Sequence, residues 1–252
     1  MSNDMTEIPI LYEDKDYVVI NKPPGLMVHS DGRQPGPYLT DWILSKYPDA
    51  AGVGEPARDE KGNSIDRSGI VHRLDKETSG VLIIAKNNKA HSALKKQFQN
   101  RTVKKKYLAF VWGELKEEFG TIDRPIGRSG KDFRRWSAQR GTRGQTKEAE
   151  TYWTKLSNGK WKPEGGREEK FTLVEAEPKT GRTHQIRVHF LAIQHPVVGD
   201  RLYAPKKPMV LGFDRTALHS KEIIFQNMDG KIVRVEAPLP ADFEKASKEI
   251  ES

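Results

Sequence analysis

Apolar and polar positions along this chain follow two periods, and the switch between them marks out its elements. DYVVIN (Asp16 to Asn21) predicts a short strand, stopped by Pro23-Pro24-Gly25, because two prolines and a glycine cannot continue a hydrogen-bonded ladder. In YLTDWILSK, Leu39, Trp42, Ile43 and Lys46 keep the i, i+3, i+4, i+7 spacing of an amphipathic helix, three of the four being apolar. Gly80 to Ala85 reads as a buried strand, and Asn88 to Gln99 as a helix with Ala90, Leu94 and Phe98 on one face. KKYLAFVWG (Lys105 to Gly113) is aromatic and β-branched with no breaker before Gly113, which favours a strand.

Further strands are expected at Ala149 to Lys155, Lys170 to Glu177, Leu218 to Gln226 and Lys231 to Glu236. Thr183 to Gln194 predicts a helix with Thr183 as its N-cap and Ile186, Phe190 and Ile193 as its buried stripe. Pro48 to Gly69 is small, polar and turn-rich, hence a surface loop, and Arg124 to Lys147 is basic and only weakly periodic, hence a long excursion. Strands that follow strands, with a few helices, argue for an α+β fold with a largely antiparallel sheet. At 252 residues and with no internal repeat, the chain reads as one catalytic-sized domain.

Charge changes this picture by its location. The net charge is +8, yet Lys95 to Lys147 holds 15 Lys/Arg against 5 Asp/Glu, and the remainder 28 against 30. The basicity belongs to one segment. Such a block is either a solvated surface or a footprint for a polyanion. The arginines and interleaved aromatics of KDFRRWSAQR, with Phe133 and Trp136, tilt it toward RNA, since guanidinium and aromatic planes stack on unpaired bases. The absence of cysteine removes thiolate nucleophiles, Cys-ligated zinc and disulfides, and suits the cytoplasm. The N-terminus does not read as a signal peptide, and no run of about 18 apolar residues predicts a membrane span.

Candidate chemistry starts at HRLDKETSGVLIIAK, His72 to Lys86, where Asp75 lies between Arg73 and Lys76 just ahead of the apolar run Val81 to Ala85. From the residues alone this acid is either a structural ion pair or a carboxylate kept ionised by a cation to act as nucleophile or base. The second cluster is KTGRTHQIRVH, Lys179 to His189, in which His184 and Arg187 are i, i+3 neighbours on a first helical turn suited to an anion. His184, His189 and His195 lack the spacing and the acidic companions of a metal site. No phosphate loop or dinucleotide fingerprint is present, so neither metal nor cofactor is expected.

HRLDKETSGVLIIAKN resembles the catalytic motif of the RluA-type pseudouridine synthases, which isomerise uridine in ribosomal and transfer RNA. INKPPGLMVH (Ile20 to His29), KKKYLAFVWG (Lys104 to Gly113) and TGRTHQIRVHFLAIQHPVVGDRLYA (Thr180 to Ala204) resemble the same family in the same order. The likeness runs from about Ile8 to Pro238. It implies the pseudouridine synthase catalytic fold: a long, mainly antiparallel mixed sheet with flanking helices and a central basic cleft. With few residues ahead of the first matching element, residues 1–252 are expected to form a single catalytic domain without an N-terminal RNA-binding module.

By this resemblance Asp75 is the catalytic aspartate, Tyr107 stacks on the target base and assists loss of its carbon-5 proton, and Arg187 is the basic partner of the aspartate. Arg73 matches an arginine that moves into the RNA stack when the target nucleotide leaves it. His72, Thr78, Lys104, Lys105, Arg182 and His184 complete the expected substrate-binding set. The reaction exchanges a C–N for a C–C glycosidic bond without redox change. Asp75 either attacks the anomeric carbon or removes the 2′ proton to give a glycal, and both routes need it ionised on an extruded nucleotide. A cation within about 4–6 Å would keep it so. Large-subunit ribosomal RNA and a transfer RNA stem-loop are the two candidate substrates, and a monomer is expected. The competing class is a non-catalytic RNA-binding or ribosome-assembly protein of the same fold.

Overall fold

The computed structural model describes residues 7–30, 36–58, 62, 64–139, 141–162 and 167–250. In chain order it contains β1 (Ile10–Glu13), β2 (Tyr17–Lys22), α1 (Leu39–Lys46), β3 (Ala57–Arg58), β4 (Ser64–Ile65), β5 (Ser79–Ala85), α2 (Asn88–Gln99) and β6 (Lys104–Trp112). These are followed by β7 (Phe119–Asp123), β8 (Ile126–Ser129), β9 (Trp136–Ser137), β10 (Thr142–Lys147), β11 (Glu150–Trp161) and β12 (Glu169–Pro178). The remaining elements are α3 (Gln185–Ala192), β13 (Leu218–Gln226), β14 (Ile232–Glu236) and α4 (Ala241–Ile250). The α+β class and the mainly antiparallel pairing are as the sequence predicts.

Two compact units divide the chain: the described residues up to Lys104 with Ser220–Pro238, and Lys105–His219 with the residues from Leu239. In the first unit β2 pairs antiparallel with β1 and with β5, and β13 pairs antiparallel with β14. All seven residues of β5 are buried, as a continuous apolar run requires of a central strand. Tyr17, Val19, Val81, Ile83, Ala90, Leu94 and Phe225 share one core. The ring of Tyr17 meets that of Phe225 edge-on at 5.4 Å. Helix α2 begins where Asn87 accepts a hydrogen bond from the Ala90 N–H at 2.9 Å, an N-cap that satisfies one orphan donor.

Pro48 to Gly69 departs from the expected surface loop. It contains a 3-10 turn at Pro48–Ala50 and the β3–β4 hairpin, and it buries Ala50, Val53 and Ser68. Gly69 explains the close docking: its φ is +82°, its carbonyl accepts from the Ala85 N–H at 3.0 Å, and any Cβ there would collide with the Ala85 carbonyl.

The second unit is built on the antiparallel order β6-β12-β11-β7. Trp112 and Phe171, on paired strands, set their rings 4.8 Å apart. Helix α4, absent from the sequence expectations, anchors through the fully buried Phe243, whose ring lies 5.5 Å from Phe110 and 5.2 Å from Phe213. Truncating such a ring to alanine costs about 3–5 kcal/mol. The helix passes so close to β11 that a Cβ on Gly159 would collide with Ile250. Arg124 to Lys147, expected to be irregular, is instead largely a small sheet in which β8 pairs with both β10 and β9. A satellite core of Ile126, Ala149, Val188 and Tyr203 lies beneath it, with Trp136 and Leu202 packed alongside. Among the described residues no helix is long and apolar enough to cross a membrane.

Candidate active site

Asp75 sits in the tight turn leading into β5, closed by the Thr78 N–H donating to the Asp75 carbonyl at 3.1 Å. That turn is held from behind by the INKPPGLMVH segment. The ammonium of Lys22, a side chain with no exposed surface, donates to the carbonyls of Pro23 at 2.7 Å, Leu26 at 2.9 Å and Lys76 at 3.2 Å. The Gly25 N–H reaches the same Lys76 carbonyl at 2.8 Å. A buried cation needs such acceptors to offset its lost hydration. Here they fix the residue next to Asp75, a role the sequence reading did not assign to Lys22.

The other candidates of this unit differ in placement. Arg73 is exposed, with its Nη1 3.2 Å from His29 Nε2. Because His29 Nδ1 lies 3.0 Å from the Ser30 carbonyl, which only accepts, Nδ1 carries the proton and Nε2 is the acceptor for Arg73. His72 is turned toward the scaffold: its Nε2 accepts from the Ile83 N–H at 3.2 Å, and its ring stacks on Phe98 at 4.9 Å. Thr78 is 2 % exposed. Lys104 is exposed at the start of β6.

In the second unit Tyr107 is buried in β6, opposite Ala176 of β12. Strand alternation puts Lys105 on the same face. Lys105 retains some surface, but the protein packed around its ammonium pulls its pKa down from 10.5 to about 8 by desolvation. Arg187, on the first turn of α3, is gripped along one edge by Asp200: Nε to Oδ2 is 2.7 Å and Nη2 to Oδ1 is 2.8 Å. The same Oδ1 accepts the N–H groups of Leu202 at 3.1 Å and Tyr203 at 3.0 Å.

The start of α3 differs from expectation. The N-cap is His184 rather than Thr183, in the left-handed region at φ +56°, and the helix is buried on nearly every side. Gln185 braces the segment ahead of the helix, its Oε1 accepting from Thr180 Oγ1 at 2.6 Å and the Arg182 N–H at 3.0 Å, and among the described residues no side chain caps the first turn. Arg182 also donates from Nε to the Glu148 carbonyl at 2.9 Å. His184 and Arg187, predicted as neighbours, meet at Tyr203. His184 Nδ1 is 2.8 Å from its hydroxyl, and the Arg187 guanidinium carbon lies 5.0 Å from the ring centroid.

The remaining histidines of the cluster are structural. His189 is fully buried, its Nε2 3.0 Å from the Arg124 carbonyl and its Nδ1 2.9 Å from Thr151 Oγ1, and burial pushes its pKa below 6.5. His195 Nδ1 is 2.8 Å from the Trp112 carbonyl. Among the described residues no three His, Cys, Asp or Glu side chains converge as a metal site would require.

On the small sheet, Arg128 lies directly opposite Trp136 and stacks its guanidinium 4.3 Å from the ring centroid. Phe133 stays 69 % exposed beside Arg134 and Arg135, which both pair with Asp132. A cationic surface carrying an exposed aromatic ring suits unpaired nucleotides.

Residues 16–192 match the sequence profile of the family described as RNA pseudouridylate synthase. An RNA pseudouridine synthase of Bacillus subtilis, YlyB, is 40% identical over 238 residues, covering 94% of this chain and 70% of that protein. The ribosomal large subunit pseudouridine synthase D of Nitrosomonas europaea is 37% identical over 246 residues, covering 93% of this chain and 63% of that protein. Among solved structures, human RNA pseudouridylate synthase domain containing 1 aligns with a TM-score of 0.71 at 27% identity, over 95% of this chain and 86% of that one.

Proposed function

The chain belongs to the RNA pseudouridylate synthase family, and on that premise we propose that it converts uridine to pseudouridine in large-subunit ribosomal RNA with Asp75 as the catalytic carboxylate. The observation that carries this reading is the turn bearing Asp75, fixed at the mouth of the buried β5 by Lys22 and Gly25. A carboxylate that must meet an anomeric carbon within a few tenths of an ångström belongs on a rigid element, and the backbone turn that carries this one is held through the Lys76 carbonyl. Tyr107 supplies the face on which the extruded uracil stacks and assists removal of its carbon-5 proton. Arg187 supplies the compensating positive charge that keeps the carboxylate ionised.

Arg73, exposed and with its Nη1 beside His29 Nε2, fills the gap left in the RNA stack, and Lys104, Lys105, Arg182 and His184 contact phosphate or ribose. The small basic sheet, with Phe133 and Arg128, sets which RNA is accepted. The 252 residues act as one catalytic domain. Ribosomal RNA is favoured over transfer RNA by the names of relatives such as the Nitrosomonas europaea ribosomal large subunit pseudouridine synthase D.

Tritium release from transcripts labelled at uracil carbon 5 tests the reading, with a bacterial large-subunit ribosomal RNA and a transfer RNA pool in parallel. Release from the ribosomal transcript alone is expected. Asp75→Asn should abolish release while RNA binding persists, and near-normal turnover by that variant would sink the assignment. Release from transfer RNA alone would move the substrate class and leave the chemistry.

A further inference from the structure

We infer that Tyr203 is a positioning residue that fixes the guanidinium of Arg187 and ties it to the small basic sheet. The inference rests on the roles proposed above for Arg187 and that sheet.

Tyr203 is 4 % exposed and lies in the turn that Asp200 organises by accepting its N–H at 3.0 Å. Arg187 is held on two sides. Asp200 takes its Nε/Nη2 edge, and the Tyr203 ring lies against its face, with 5.0 Å between guanidinium carbon and ring centroid. An edge contact alone leaves a planar cation free to swing about the forked bonds. A ring against the face removes that freedom, and cation–π attraction is strongest where water is excluded.

The hydroxyl faces the other way. It accepts from the backbone N–H of Trp136 at 3.0 Å and meets His184 Nδ1 at 2.8 Å. Trp136 is on β9, and its side chain stacks under Arg128 of β8. One phenol therefore connects the backbone of the basic sheet, the left-handed N-cap of α3 and the cation on the first turn of that helix. The satellite core of Ile126, Val188 and Tyr203 makes the connection a packed one. RNA docked on the basic sheet is thereby linked to the cation through one side chain.

The two ends of the side chain separate experimentally. Tyr203→Phe keeps the ring and removes the hydroxyl. The KM for ribosomal RNA is expected to rise about tenfold, as the loss of a buried hydrogen bond implies, with kcat within about twofold. Tyr203→Leu removes the ring as well. Its kcat is expected to fall on the order of tenfold to a hundredfold, the penalty for a misplaced group, so the phenylalanine variant counts as a rescue. Tyr203→Met replaces the leucine variant should that one melt.

Equal kcat in the phenylalanine and ring-less variants, or wild-type kinetics in both, would overturn the inference. A second readout needs no turnover. In nuclear magnetic resonance spectra of the RNA-free protein, the Arg187 Nε–H signal should move when the ring is removed and stay in place in Tyr203→Phe. An unmoved signal in the ring-less variant overturns the positioning role by itself. Absence of tritium release by the wild type would instead overturn the proposed reaction, and the resonance would still report on Tyr203.

Discussion

Arg187 and Asp200 form a forked ion pair with both side chains almost wholly buried, Nε to Oδ2 at 2.7 Å and Nη2 to Oδ1 at 2.8 Å. Removing one partner of such a pair leaves an uncompensated charge in a low-dielectric setting. Asp200→Ala is therefore expected to lower unfolding stability by about 3–5 kcal/mol, read from the urea midpoint at constant slope. Loss of less than about 1 kcal/mol would show that the pair does not anchor α3.

Lys22 acts on stability and chemistry together. Lys22→Met keeps much of the side-chain volume but leaves the carbonyls of Pro23, Leu26 and Lys76 without the ammonium. Stability should fall by about 1–3 kcal/mol, and kcat on the order of tenfold, with RNA affinity unchanged. A variant that weakens RNA binding and spares kcat would refute the clamp on the Asp75 turn.

His189 gives the fold an acid-side limit. Its pKa in the folded chain lies below 6.5, so between that lowered value and 6.5 the unfolded chain binds a proton the folded chain does not. Stability is complete above pH 6.5 and falls as the pH drops through this window. His189→Gln, which can still donate to Arg124 and accept from Thr151, should flatten thermal stability across it. An unchanged profile would place the acid sensitivity elsewhere.

Lys105 acts on the alkaline side. Desolvation lowers its pKa from 10.5 to about 8, so between these values the unfolded chain holds the extra proton and stability rises with pH. Lys105→Met should raise the melting temperature at pH 7, with the advantage fading by pH 10.5. Equal melting of variant and wild type at pH 7 would show that the ammonium is well solvated.

Much of this was legible in the sequence, for physical reasons that vary by element. Continuous burial makes β5 a plain apolar run, and the spacing of Ala90 and Leu94 marks the buried face of α2. The start of α3 differs from the expected Thr183 cap because His184 takes a left-handed conformation there, which no local pattern announces. The sheet formed by β8, β9 and β10 was hidden because β8 and β9 are too short for a period to show and β10 carries no large apolar residue to alternate. Helix α4 carries only a sparse stripe, Phe243, Ala246 and Ile250, in an otherwise charged segment. Asp75, Tyr107 and Arg187 were reached by family resemblance. Lys22, Asp200 and Tyr203 were within the quoted motifs, but what a buried lysine or aspartate touches is decided by distant backbone that no local pattern reveals.

Each unit draws on two separated stretches of the chain: the first needs Ser220–Pro238 to supply β13 and β14, and the second needs the residues from Leu239 to supply Phe243. During synthesis neither unit can close while the ribosome still holds the residues beyond His219. The apolar faces of β5 and β6 must wait for partners made later. The nascent protein is thus most vulnerable to aggregation and proteolysis until Ser220–Pro238 and the residues from Leu239 have been made, and it is exposed in this way beside the very particle whose RNA it is proposed to modify.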